Sequence, residues 1–153
     1  MKLNVKRIPV DGEDFAGSEP PSILEVESDA DMAFERPVEY TLHAQLQGRS
    51  VLVTGRLATE AMLRCGRCLK PFRRRLTAKE FVFLQELSGE DFVDLTPQMR
   101  EDILLELPQR AICQPDCKGL CPVCGKNLNE GACGCKVSRE DLRWQALNKL
   151  KLT

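Results

Sequence analysis

Along residues 38–47 every second side chain is apolar. Val38, Tyr40, Leu42, Ala44 and Leu46 alternate with Glu39, Thr41, His43, Gln45 and Gln47. A period of two sends successive side chains to opposite faces, so this stretch predicts a strand with one face buried. Gly48 and Arg49 supply a turn. The alternation resumes with Val51, Val53, Leu57, Ala61 and Leu63 on one side and Arg56, Glu60 and Arg64 on the other. Two half-buried antiparallel strands follow. A third is predicted over 72–85, but Leu76 and Phe81 fall on opposite parities there, which predicts a bulge. Weaker alternation, Leu3 and Val5 against Asn4 and Lys6, predicts a first strand over 2–10. Residues 12–21 are polar with Gly and Pro and read as a loop.

Further along, the period lengthens. Met99, Ile103, Leu104 and Leu107 share one stripe of a helix predicted over 97–107. Thr96 is its expected N-cap, Pro97 suits its first position and Pro108 stops it. An acidic connection, 88–95, leads into it. A second helix is predicted over 139–150. Ser138 and Asp141 would form a capping-box pair there, and Val137 and Leu142 a hydrophobic staple. Leu142, Ala146, Leu147 and Leu150 would be its buried face. Strands first and helices later predict an α+β fold, an antiparallel hairpin or meander sheet followed by two helices and a Cys-rich zinc-binding segment. The expected organisation is a sheet domain over 1–110 with residues 111–153 packed on it as one unit.

Composition narrows the class. With 153 residues, 42% apolar and 29% charged, the chain suits a globular protein with its own core. No run of 18 apolar residues exists, so no membrane span is expected. The stretch MKLNVKRIPVDG lacks an apolar h-region, which predicts no secretory signal and a reducing cytoplasm. In that compartment, clustered cysteines more often hold metal than form disulfides.

Eight cysteines carry the candidate chemistry, six of them between Cys113 and Cys135. A structural zinc takes four thiolate or imidazole ligands in a tetrahedron. Cys121-Pro122-Val123-Cys124-Gly125-Lys126 has the form of a zinc knuckle, because Gly125 can take a positive φ that turns backbone N–H groups toward the sulfurs. Cys65-Gly66-Arg67-Cys68 is a weaker instance, since Leu69 stands where Gly is preferred, but it falls in a turn between two strands. Eight thiols suffice for two ions. The favoured division is Cys121, Cys124, Cys133 and Cys135 for one ion, because the intervening loop GKNLNEGA is short and Gly/Asn-rich, with Cys65, Cys68, Cys113 and Cys117 for the other. A competing division puts Cys113, Cys117, Cys121 and Cys124 together. Iron–sulfur, redox and disulfide readings are also open. A thioredoxin-like couple would want a helix after its CxxC, and neither pair precedes an evident one. The single His43, on a polar strand face, reads as a surface residue. All-Cys ligation and the lack of a candidate base predict no enzymatic activity and no small-molecule substrate.

The net charge of −1 hides strong segregation. Residues 11–35 carry nine acids and no base, and residues 86–106 carry seven acids against one base. Between them, residues 64–79 carry seven bases and no acid. Arg64, Arg67, Lys70, Arg73, Arg74 and Arg75 cluster around the first CxxC and are the candidate RNA contacts, through salt-sensitive attraction to phosphates. Aromatic residues are only 5% of the chain, so base stacking is not expected. The alternative is a hairpin whose cations pair with the protein's own acids.

The stretches CGRCLKPF, LPQRAIC, DCKGLCPVCGKNLNEGACGC and DLRWQALNKLK, in that order from about residue 36 to the end, resemble the YceD family of bacterial and plastid proteins. The resemblance implies a role in ribosome biogenesis, in the accumulation of large-subunit ribosomal RNA, with that RNA or its precursor as partner. It also implies that Cys113 and Cys117 go with Cys65 and Cys68, and it brings no enzyme activity. Two other functions stay open, an adaptor whose acidic stretches meet a basic ribosomal protein, and a thiol oxidoreductase.

Overall fold

Ser50–Arg64 forms a 15-residue strand at the centre of the main sheet. In the computed structural model, which describes residues 1–29 and 31–135, the strands in chain order are β1 (Lys2–Asn4), β2 (Glu13–Glu19), β3 (Met32–Phe34), β4 (Val38–Gln47), β5 (Ser50–Arg64), β6 (Pro71–Glu86) and β7 (Phe92–Asp94). Among the described residues one α-helix, α1 (Thr96–Leu105), follows β7, and 3-10 turns occupy Val5–Arg7 and Pro21–Leu24. The helix expected over 139–150 lies outside the described residues.

Strand β5 pairs antiparallel with β6 along one edge, and with β4 and β3 along the other. Strand β2 adds to the far side of β4, so the antiparallel sheet is present. Alternation decides which face is covered. Val51, Val53, Leu57, Thr59, Ala61 and Leu63 point into the core, as do Val38, Leu42 and Ala44 of β4. Against them pack Met99 and Ile103 of α1, Leu24 of the second 3-10 turn, and Leu3 and Val93 of the β1–β7 ribbon. Each such side chain contributes about 1.5–3 kcal/mol by leaving water. Thr59, the buried polar residue among them, is satisfied by donating to the carbonyls of Arg36 (3.2 Å) and Pro37 (3.1 Å).

The predicted bulge is present. Gly55 pairs with Phe81 and Leu57 with Ala78, so Lys79 and Glu80 together oppose Arg56. This extra residue lets Leu76, Ala78 and Phe81 all reach the core despite their broken parity. Beside it, Gly55 lies so close to β4 that a Cβ would sit 2.2 Å from the Thr41 carbonyl oxygen.

Four expectations need correction. Residues 12–21 are not a loop but contain β2. It is an edge strand held by backbone pairing to β4, so its polar side chains tell little about its conformation. The first strand ends at Asn4, where the chain enters a 3-10 turn whose Lys6 N–H donates to the Asn4 side chain (3.0 Å). The acidic connection 88–95 holds β7, which pairs with β1. Helix α1 begins at Thr96 and ends at Leu105. The Thr96 N–H is taken by the Asp94 carboxylate (2.9 Å), so Asp94 and not Thr96 supplies the side-chain oxygen there.

Candidate metal centre

The two CxxC turns have the same backbone. In the first, the Cys65 N–H donates to the Lys70 carbonyl (2.9 Å) and the Leu69 N–H to the Cys65 carbonyl (2.9 Å). In the second, Cys121 donates to Lys126 (2.8 Å) and Gly125 to Cys121 (2.8 Å). The residue after the second cysteine is left-handed in both, φ 59° for Leu69 and 73° for Gly125. Leu69 therefore does what glycine does, at a strain of about 1–2 kcal/mol. The first turn joins β5 to β6 at the end of the sheet. A further bond, Gly66 N–H to the Ala111 carbonyl (2.8 Å), ties it to the segment that follows α1.

The tie brings distant cysteines together. Cys65, Cys68, Cys113 and Cys117 form one group and Cys121, Cys124, Cys133 and Cys135 another, with all sulfurs in each group within 4.8 Å of one another. The competing set of Cys113, Cys117, Cys121 and Cys124 is not brought together. All eight cysteines are unbridged. A tetrahedron with sulfur about 2.3 Å from its centre has edges of about 3.8 Å. In the first group Cys65 and Cys117 are 3.9 Å apart and Cys68 and Cys113 3.7 Å, two edges that share no corner. Both groups can hold a metal ion, and the first has the dimensions of a four-thiolate site.

Electrostatics agrees. Burial works against ionising Cys65. The N–H groups of Cys68, Cys113 and Arg67 aimed at its sulfur win, and its pKa falls to about 6. Two of these contacts measure 3.4 Å from Cys113 and 3.5 Å from Arg67. Cys121 is likewise lowered to about 6, by the N–H groups of Cys124 and Val123. The price of one thiolate falls on its neighbours. Cys113 is pushed up to about 12 by burial and by the thiols of Cys117, Cys65 and Cys68, and Cys135 to about 12 by the thiols of Cys124 and Cys133. Four thiolates this close repel one another unless a cation sits among them.

Surroundings distinguish the groups. Cys65, Cys68 and Cys117 are buried with Phe72 and Ile112 against them, whereas Cys124 is exposed and Cys133 and Cys135 are half-buried. The two are joined. Leu120 N–H donates to the Arg67 carbonyl (3.0 Å), Lys70 pairs with Glu130, and Asn129 Nδ2 donates to the Cys117 sulfur (3.4 Å). The Asn129 side chain also accepts from Lys118 N–H (2.8 Å). Sequence reasoning missed Asn129 and Glu130, whose loop was read only as a short Gly/Asn-rich spacer. The signal available was the Asn-rich stretch itself, since asparagine side chains bond readily to nearby backbone.

The six candidate RNA contacts do not share one surface. Arg64 pairs with Asp31 (3.1 Å), and Arg67 donates to the Cys117 carbonyl (2.9 Å), which makes it part of the first metal group's frame. Lys70 reaches Glu130, and Arg73 pairs with Glu60 (3.6 Å). Arg73 and Arg75 lie on the sheet's outer face, while Arg74, opposite Ala61, lies on the other parity. His43 is on the outer face, 2.8 Å from the Asp14 carboxylate.

No solved structure matches the chain closely enough to count as similar. A family model described as "Large ribosomal RNA subunit accumulation protein YceD" matches residues 79–151, which include six cysteines but not Cys65 or Cys68. An uncharacterized protein of Mycobacterium tuberculosis is 34% identical over 125 residues, 72% of this chain and 60% of the relative. The match thus spans less than two thirds of the mycobacterial relative's length. Bacillus subtilis YlbN is 29% identical over 127 residues, 74% of either chain. A maize protein named "Large ribosomal RNA subunit accumulation protein YCED homolog 1, chloroplastic" is 47% identical over 45 residues, 29% of this chain and 15% of the relative. Over the residues that build both sulfur groups from Cys113 onward, this chain is YceD-like.

Proposed function

We propose that this chain is a non-enzymatic protein, stabilised by two zinc ions, that supports the accumulation of large-subunit ribosomal RNA by contacting that RNA or its precursor. The observation that carries the reading is the pair of four-cysteine groups built largely from the YceD-like segment. Sulfurs all within 4.8 Å of one another are spaced to hold a single ion, whereas a polynuclear iron–sulfur cluster needs its cysteines further apart. A lone tetrahedral four-thiolate ion is most often zinc. Four protein ligands leave no open position for substrate or water, which supports a structural role. Among the described residues no helix is long and apolar enough to cross a membrane.

Metal content and rRNA levels test the two halves of this reading. The purified chain should carry two zinc ions. In cells depleted of the protein, large-subunit rRNA should fall relative to small-subunit rRNA, and the wild-type gene should restore it. An unchanged ratio would sink the functional half. A second reading, an adaptor for a basic protein, is favoured by the exposed acids Glu13 and Asp14 on edge strand β2. Capture of a ribosomal protein without RNA would favour it.

A further inference from the structure

The cations of this protein are unequally available. Arg64, Arg67, Lys70 and Arg73, at or near the zinc-knuckle end, are engaged with the protein's own groups. Farther along the outer face of the sheet, Arg56, Arg75 and Lys79 are exposed and make no ion pair among the described residues. The register places them together. Arg56 faces Thr41 on β4 and the Lys79–Glu80 bulge on β6, and Arg75 faces Glu60. The bulge matters here, because it holds Lys79 on the outer face while Ala78 and Phe81 stay in the core.

Between these cations the sheet carries small side chains, Ala58, Thr77, Thr41 and Thr54. They leave three depressions of about 250, 260 and 340 Å³. The first and second share Ala58 and Arg75, and the second and third share Thr41 and Arg56. The result is one open furrow walled in turn by Arg36, Arg75, Arg56 and Lys79. Three acids also border it. Glu60 is ion-paired with Arg73 and Asp14 with His43, which leaves Glu39 as the acid with no ion-pair partner among the described residues. Tyr40 borders the furrow, but it lies on β4's core-facing parity and packs against the core, and no Phe or Trp lines the furrow.

We propose that this furrow is where the protein grips the sugar–phosphate backbone of RNA, and that the zinc-knuckle tip is not. The inference rests on the rRNA reading above and locates its contact surface. Cations spaced along an open furrow fit an extended polyanion better than an enclosed small anion. Without aromatic platforms, the contact reads backbone and shape and not base identity.

The test is filter binding of a large-subunit rRNA fragment to the full zinc-loaded chain across a range of salt concentrations. The triple variant Arg56→Gln, Arg75→Gln, Lys79→Gln changes only exposed residues and should keep the wild-type melting midpoint. Its affinity should fall at least ~10-fold at low salt, and its log–log salt slope should shrink by about 2, as expected for three lost phosphate contacts. Glu39→Gln should bind more tightly than wild type. Lys70→Gln and Arg74→Gln should bind within about twofold of it. A triple variant that binds like wild type, or a Lys70→Gln loss larger than the triple's, overturns the furrow and leaves the RNA reading standing. A wild-type chain that binds no RNA at any salt overturns both.

Discussion

The two sulfur groups share a backbone turn and a ligand set, yet they are installed in opposite ways. The second, Cys121 to Cys135, draws its ligands from 15 consecutive residues at the surface. The first joins a strand–strand turn to a segment 45 residues downstream, and three of its four cysteines are buried. A local site orders its own loop. A non-local one closes a long chain excursion and so carries part of the fold's stability. Cys65 and Cys68 terminate the β5–β6 hairpin, and Cys113 and Cys117 follow α1, so an ion there pins the sheet's end to the segment leaving the helix.

Breaking each site in turn gives the largest contrast. Cys65→Ser should remove one zinc and cost several kcal/mol, since structural zinc contributes about 10–16 kcal/mol to small zinc domains. The measurements are metal content and the melting curve of the sheet's circular dichroism. Cys124→Ser should remove the other zinc and leave the sheet's melting transition nearly in place. If Cys124→Ser collapsed the sheet as completely as Cys65→Ser, the contrast between pinning and local sites would be wrong.

Removing both ions with a chelator should expose a pH dependence. Cys65 and Cys121, lowered to about 6 from an ordinary value of about 8.5, favour the fold fully above the ordinary value. That contribution is lost as pH falls through 6. Cys113 and Cys135, raised to about 12, act the other way. Their contribution is complete below the ordinary value and is lost as pH rises toward 12. Melting midpoints of the metal-free chain should therefore peak near pH ~8.5; a peak below pH ~6 would contradict the lowered pair.

Asn129 sharpens the comparison, because it belongs to the second loop and bonds a ligand of the first. Asn129→Ala should speed zinc loss from the first site by about 10-fold, the low end for losing a partner of a ligand. Zinc transfer to a colorimetric chelator, followed in a Cys124→Ser background, would read it. An unchanged rate would mean that the bond does not bias the site.

The smallest effects lie at the two left-handed positions. A Cβ at Gly125 meets nothing within 4 Å, so Gly125→Ala should cost only the backbone strain, about 1 kcal/mol. Leu69→Gly relieves similar strain but loosens the unfolded chain, and should be neutral within about 0.5 kcal/mol. Paired denaturant titrations would show whether the turns respond as alike as their backbones look.

Legibility followed the range of the interaction. Strand β4 was readable to the residue, because burial on one face forces a period of two. The bulge was readable from the clash of parity between Leu76 and Phe81, since a core demands both. Strand β2 was hidden. Its partner is β4's backbone, and only Phe15 among its side chains packs against the core as a large apolar group. For the cysteines, spacing marked both knuckles but left two divisions of the ligands open.

The sequence by itself determined the alternating strands, the helix stripe and the chemistry of eight thiols, because periodicity and ligand type are properties of neighbouring residues. Only the tertiary structure decided which cysteines share a site and which cations face water. Cys65 meets Cys117 because the hairpin end docks where the chain leaves α1. Arg67 and Arg75 part company because one lies in the turn that frames a metal group and the other on an open sheet. Those outcomes depend on where distant segments come to rest, which no local pattern encodes.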